Sequence, residues 1–172
     1  ISFLNSKINT NYKIENDVII FNSVNSRIKN NTLDYNGELT IDPLNLNLNI
    51  DLDSYDLHKF FNNNSIFNEL VRTKLLFNKN ISMSTTITTQ SNLKNKLFQS
   101  VKIYFNIVHG KLNINKSKLI NNKMGILELD NSNLSYENDR LILNTDIMVN
   151  IKNSNELFSY LQTNKKFRKP IT

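Results

Sequence analysis

No cysteine, tryptophan or alanine occurs in this 172-residue chain, and glycine, proline and histidine number only three, two and two. Without cysteine there are no disulfides and no thiolate metal or redox centres. The absence fixes no compartment, since an oxidising one permits disulfides without requiring them. The two histidines, His58 and His109, have no spacing for a shared metal site. No glycine-rich phosphate loop, G-x-S-x-G, H-E-x-x-H or paired acid–base signature is present, so neither catalysis nor a cofactor nor a metal is expected. No apolar run approaches the roughly 18 residues of a membrane-spanning helix, and no stretch reads as a signal peptide. Any such segment would lie outside this piece, which opens on Ile1 and reads as part of a larger protein. Asparagine fills much of the chain, at 33 residues. With abundant lysine and isoleucine, this skew reads as A+T-rich coding. It discounts the N-x-S/T sequons at Asn30, Asn63, Asn80, Asn115 and Asn133, which so much asparagine scatters by chance.

The charge is uneven. Of the net +6, four positive charges come from Lys165, Lys166, Arg168 and Lys169. A nucleic-acid binder is expected to carry a basic stripe interleaved with aromatics across its fold, and here the basic residues gather in a tail. Nucleic acid is therefore not an expected partner. The tail, residues 164–172, reads as a solvated connection to a following segment, with contact to anionic lipid headgroups as the alternative. Asp51, Asp53 and Asp56 read as a cap or solvated helix start.

Hydrophobic alternation dominates the rest. In Gly37–Asp53, Leu44, Leu46, Leu48, Ile50 and Leu52 alternate with Asn45, Asn47, Asn49 and Asp51, as one apolar and one polar face of a strand. Counted from Leu39 the strand is about 14 residues, or about 45 Å. Its phase switches at Asp42-Pro43, where a bulge is expected. Asn36-Gly37 is the strongest turn signal and is expected to join this strand to one ending near Tyr35. Asn16-Asp17 predicts an earlier hairpin, and the continuously apolar Val18–Phe21 suits burial on both sides. From Asp53 or Ser54 a helical stretch carries Leu57, Phe60 and Phe61. Ser65 caps a second, with Ile66, Phe67, Leu70 and Val71.

Strands resume with Ile81, Met83, Thr85, Ile87 and Thr89. After a polar loop at Ser91–Lys96 come Val101, Ile103, Phe105 and Ile107, then a turn at His109-Gly110 into Leu112 and Ile114. Gly125 precedes Leu127 and Leu129, and Leu134 and Tyr136 lead to a turn at Asn138-Asp139. The last strand presents Leu141, Leu143, Thr145, Ile147, Val149 and Ile151 on one face. Ser154 is expected to cap a final helix with Leu157, Phe158 and Leu161 inward. Glu15–Ile20 and Glu137–Ile142 echo each other as a recurring hairpin. The fold class is mostly β with a few short helices, a meander of long antiparallel strands in one domain.

The segment Val101–Leu129, VKIYFNIVHGKLNINKSKLINNKMGILEL, resembles the C-terminal region of AsmA-like envelope proteins. The matching elements are the strand Ile103–Ile107, the turn His109-Gly110, the strand Leu112–Ile114, Gly125 and the strand Leu127–Leu129. The likeness continues through Leu141–Ile151 and Glu156–Leu161 and spans roughly residues 37–163. It implies a bridge-like protein of the bacterial envelope on the periplasmic side, anchored in the inner membrane through a segment outside this chain. It further implies a curved, folded-over sheet whose groove conducts phospholipids and supports outer-membrane biogenesis. On that reading the acyl chains lie against Leu44, Leu46, Leu48, Ile50, Leu52, Ile103, Phe105, Ile107, Leu112, Ile114, Leu127, Leu129, Leu141, Leu143, Ile147, Val149 and Ile151. Phe60, Phe61 and Phe67 would form a helical lid, or else ordinary core. The competing expectation is a structural β scaffold whose striped faces close on each other without a ligand. An enzyme acting on envelope lipids or glycans would need a polar cluster that the sequence does not offer.

Overall fold

The computed structural model describes residues 2–3, 6–28, 31–53, 66–90, 97–138 and 140–168. Within them thirteen strands join in one mixed sheet. The first seven are β1 (Ser2–Phe3), β2 (Ser6–Lys7), β3 (Thr10–Glu15), β4 (Val18–Ser23), β5 (Ser26–Ile28), β6 (Asn31–Thr40) and β7 (Asn45–Asp53). After helix α1 (Ile66–Arg72) and a 3-10 turn (Leu75–Phe77) come β8 (Ser82–Gln90), β9 (Ser100–Val108), β10 (Lys111–Asn113), β11 (Lys118–Asn121), β12 (Gly125–Glu137) and β13 (Arg140–Ile151). Helix α2 (Ser154–Tyr160) and a 3-10 turn (Lys165–Phe167) follow. The expectation of a mostly β chain with few short helices holds.

Several strands lie end to end. β2 and β3 run beside β5 and β4, and β10 and β11 together fill one lane between β9 and β12. Every pairing is antiparallel except β7 with β8, which run parallel from Asn45↔Ser82 to Asp53↔Gln90. This departs from an all-antiparallel meander. A parallel neighbour cannot be reached by a tight turn and needs a crossover of a dozen residues or more, commonly helical. The connection containing α1 and the first 3-10 turn supplies it, and Val71 and Leu76 from those two elements enter the core.

The long strand expected over residues 39–52 is instead a hairpin. Leu39 of β6 and Leu46 of β7 are register partners, and Ile41–Leu44 form the turn between them, with a cis Asp42-Pro43 peptide. Proline has no N–H for a ladder, so the chain leaves the sheet there. The phase switch marks two strands and no bulge. Asn36-Gly37, expected to turn, lies within β6. The reason is Gly37, which pairs with Phe21 on one side and Leu48 on the other. A Cβ at Gly37 would collide with the Asn47 carbonyl oxygen and come 2.8 Å from Phe21 Cζ. The glycine therefore permits close approach of a ring and a neighbouring strand.

The true bulge is in β12. Its register with β13 shifts between Asp130 and Asn133, where Asn131 has φ 47°. This explains why the stripe moves from odd positions, Leu127 and Leu129, to even ones, Leu134 and Tyr136. Ser132, fully buried, ties the bulge down. Its Oγ donates to the Asp130 carbonyl at 2.8 Å and shares a 2.5 Å hydrogen bond with Thr145 Oγ1, while Asn115 Oδ1 accepts from its N–H.

Other turns match their sequence signals. Asn16 (φ 53°), His109 (φ 51°) with Gly110 (φ 72°), and Asn138 (φ 49°) all sit in hairpin connections. The echo between Glu15–Ile20 and Glu137–Ile142 thus falls on two equivalent hairpins, each closing next to a Glu (Glu15↔Val18, Glu137↔Arg140). Ile20 is exposed, so Val18–Phe21 is not buried on both sides. At the C-terminal helix the cap is Asn153, one residue before Ser154, accepting from the N–H groups of Asn155 and Glu156 at 3.0 and 3.4 Å. Leu157 and Phe158 are half-buried and Leu161 is exposed, so that helix does not turn all three inward. The expected helix over Leu57–Phe61, the Ser65 cap and the Ser91–Lys96 loop lie outside the described residues.

Candidate functional site

Directly opposed residues on neighbouring strands share a face of the sheet. Following the register across the molecule gives one apolar row. It runs Ile14, Ile19, Leu39, Leu46, Met83, Ile107, Leu112, Leu134 and Leu143, one residue from each lane. At about 4.8 Å between strands the row is about 38 Å long. A second row on the same face runs Leu33, Leu52, Thr89, Val101, Leu119, Leu127 and Val149. The opposite face is mostly polar: Asn47, Asn49 and Asp51 are exposed there, and Asn49 Nδ2 donates to Asn36 Oδ1 at 3.1 Å.

Burial along the apolar rows is graded. In the first, Ile107 and Leu112 are 0% and 1% exposed, whereas Ile14 at one end is 61% exposed and Leu143 at the other 55%. The centre is sealed by the crossover, with Val71 and Leu76 in one cluster with Leu52, Ile103, Phe105, Ile107 and Leu112. The 3-10 turn reaches as far as β12, where the Phe77 ring meets Tyr136 edge-on at 4.9 Å and Lys74 Nζ lies 4.9 Å from the centroid of the same ring. β13 pairs only with β12 among the described strands, and Leu141, Leu143, Ile147 and Val149 stand exposed along it.

The expected groove lining is therefore divided. Leu52, Ile103, Phe105, Ile107 and Leu112 are closed core under the crossover and cannot line an open groove. Leu46, Leu48, Ile50, Ile114, Leu127, Leu129 and Ile151 are half-buried. Leu44 belongs to the β6–β7 turn, exposed and off the stripe. Only Leu141, Leu143, Ile147 and Val149 combine membership of the stripe with open exposure. Of the expected lid, Phe60 and Phe61 lie outside the described residues, and Phe67 is placed in α1 with its side chain outside them. The reading of residues missed Tyr12, Ile14, Ile19 and Phe21 as members of the face, whereas Leu39, counted into the striped strand, does lie on it. The alternation of the missed four is short, and only the pairing of β3, β4 and β6 joins it to the rest.

Polar chemistry is sparse. A shallow cleft is bordered by Thr32, Asp34, Asp51, Leu52, Asp53 and Gln90 at the end of β6–β8. No group of three or more metal-ligating side chains gathers among the described residues. His109 is in the β9–β10 turn and His58 lies outside the described residues. Glu69 and Arg72 form an exposed pair on α1, with Arg72 Nη2 2.7 Å from Glu69 Oε1. That hydrogen bond is the main cause holding the Glu69 carboxyl below its ordinary pKa.

One buried polar atom stands out on the apolar face. Thr85 Oγ1 has no hydrogen-bond partner among the described residues, and Thr85 sits between its register partners Leu48 and Phe105. An unpaired buried hydroxyl costs about 1–3 kcal/mol, and valine replaces it with a methyl of nearly the same shape. Thr85→Val is expected to raise stability by about 1 kcal/mol, read as a higher urea midpoint with an unchanged slope.

These features define a class: a mostly β protein with one mixed sheet, whose continuous apolar face is sealed at the centre and, among the described residues, left uncovered along its final strand. No protein-family model, curated protein or solved structure matches the chain.

Proposed function

We propose that the chain is a non-enzymatic, lipid-binding or lipid-conducting β segment of an AsmA-like envelope protein, supporting phospholipid transport and outer-membrane biogenesis. One observation carries this reading: the stripe Leu141, Leu143, Ile147 and Val149 continues the core face outward and stands uncovered by described residues. Monomeric soluble proteins rarely leave a contiguous apolar strip of this kind without a partner. Acyl chains suit it chemically. Burial is worth about 0.8 kcal/mol per CH₂, so two chains of about 16 carbons would gain on the order of 20 kcal/mol in a fully apolar groove. A long apolar row asks for no polar recognition, in keeping with the few polar groups on this face. The envelope location, the periplasmic side and an inner-membrane anchor outside this chain follow from the resemblance carried by Val101–Leu129 and its continuation.

The reading narrows the lipid surface to the β12–β13 side, because the centre is protein-filled. The buried cluster around Ile107 equally favours the second reading, a scaffold with a closed core and no ligand. Native mass spectrometry of protein purified without detergent separates them. Copurifying phospholipid is expected, and Ile147→Asp is expected to remove it while leaving the circular dichroism spectrum unchanged, since Ile147 is exposed. Protein that arrives free of phospholipid would leave the scaffold reading standing.

A further inference from the structure

We propose that residues 154–168, helix α2 and the 3-10 turn after it, form a docking patch for the surface of an anionic phospholipid bilayer. This goes beyond the groove reading and needs no lipid on the sheet. Tyr160, Leu161 and Phe167 are each more than half exposed. Lys165 and Lys166 are exposed and Arg168 is half-exposed, within the same short stretch. The only acidic residue between 154 and 168 is Glu156, in the first turn of α2 and at the opposite end from the cations. Three cations, Lys165, Lys166 and Arg168, thus share one short stretch with three large exposed apolar side chains.

The backbone of the segment is folded, which brings the positions carrying these groups close together. Leu161 N–H donates to the Leu157 carbonyl at 2.9 Å, Gln162 takes a left-handed backbone, and Thr163 N–H returns to the Phe158 carbonyl at 2.9 Å. Asn164 caps the next turn by accepting from Lys166 N–H at 3.2 Å, and Arg168 Nε donates to the Thr163 carbonyl at 2.9 Å. Lys166 Nζ lies 4.9 Å from the centroid of the Phe167 ring. Such a pair suits an interface, with the ring towards hydrocarbon and the ammonium at the phosphates. Apolar side chains supply the burial and cations the attraction to anionic headgroups, the two ingredients of interfacial binding. A nucleic acid would satisfy the cations but offers no hydrocarbon for Leu161.

Flotation of the full chain with vesicles of phosphatidylcholine, alone or mixed with phosphatidylglycerol, tests this. Binding to the mixed vesicles is expected to exceed binding to the neutral ones and to lose that excess in high salt, where the Debye length falls to about 3 Å. Lys165→Gln combined with Lys166→Gln should lower the partition coefficient about thirtyfold, at about fivefold per cation. Leu161→Ser combined with Phe167→Ser should lower it at least about tenfold. Both double variants change exposed side chains and should melt with the parent, which is checked by thermal unfolding. Equal binding to neutral and anionic vesicles, partitioning unmoved by either pair, or a preference for duplex DNA over vesicles would each overturn the proposal.

Discussion

Replacement of Gly125 by valine is expected to destabilise the fold by about 4 kcal/mol, the sum of a disallowed backbone conformation and a steric overlap. Gly125 has φ +145°, a region that residues with a Cβ rarely adopt. A Cβ there would overlap the Asn150 carbonyl oxygen and sit 3.1 Å from Ile151 Cα on the paired strand. Relaxation is blocked from behind. Asn121 Oδ1 accepts from Lys123 N–H at 2.9 Å and from Met124 N–H at 2.8 Å, fixing the turn that delivers the glycine. The Met124 carbonyl in turn accepts from Lys152 and Asn153, anchoring the end of β13 and the start of α2. A shift at Gly125 therefore loosens the strand with the exposed stripe as well as the turn. Urea unfolding should show a lower midpoint with the slope preserved. A midpoint for Gly125→Ala within about 1 kcal/mol of the parent would mean that the backbone moves aside freely, contrary to this account.

The distribution of turns shows which parts of the fold were legible in the sequence. Asn16, His109-Gly110 and Asn138 turn the chain as their residue types predict, because each must hold a positive φ. Asn36-Gly37 carries the same chemistry and does not turn. A glycine can serve a left-handed backbone or a crowded contact, and the second use depends on Phe21, 16 positions earlier in the sequence. Likewise, a phase switch in an apolar stripe signals an extra residue at Asp130–Asn133 and a reversal at Ile41–Leu44. Alternation alone does not separate the two. The proline could have done so, since it withdraws a donor from the ladder just where the chain leaves it. The parallel pairing of β7 with β8 was hidden for another reason. Strand direction depends on where the connection travels, and a short amphipathic helix reads alike whether it crosses the sheet or packs at its end.

The candidate site was legible as a set of stripes and illegible as an open or closed surface. Periodicity states which side of each strand is apolar. It carries no information on what lies above that side, which here is decided by Val71 and Leu76 from a different part of the chain. The same limit explains why Phe105 and Val149 were grouped together as lining, although one is core and the other is exposed on the final strand.

Two isoleucines on this face turn that division into a measurable difference. Ile107→Ala is expected to cost about 4 kcal/mol, within the usual range of about 2–5 for a buried isoleucine, whereas Ile147→Ala should change stability by about 0.5 kcal/mol or less. Both lie in apolar stripes of regular strands, and the register Ile107–Leu112–Leu134–Leu143 puts them on one side of the sheet. Their surroundings differ: Ile107 is 0% exposed and clusters with Leu112, Met83 and the crossover residues, while Ile147 is 57% exposed on the outermost strand. Truncation of the first leaves a cavity that the paired β8 and β10 cannot collapse to fill, adding to the lost transfer free energy. Truncation of the second removes surface that water already touches. The contrast is sharpest when each variant is unfolded with and without phospholipid present. If β13 holds acyl chains, ligand should stabilise the parent and Ile107→Ala alike and stabilise Ile147→Ala less, because binding to the native state adds stability in proportion to its affinity. An equal lipid increment in all three proteins would place the lipid elsewhere, and a cost at Ile147 matching that at Ile107 would show that the stripe is covered after all.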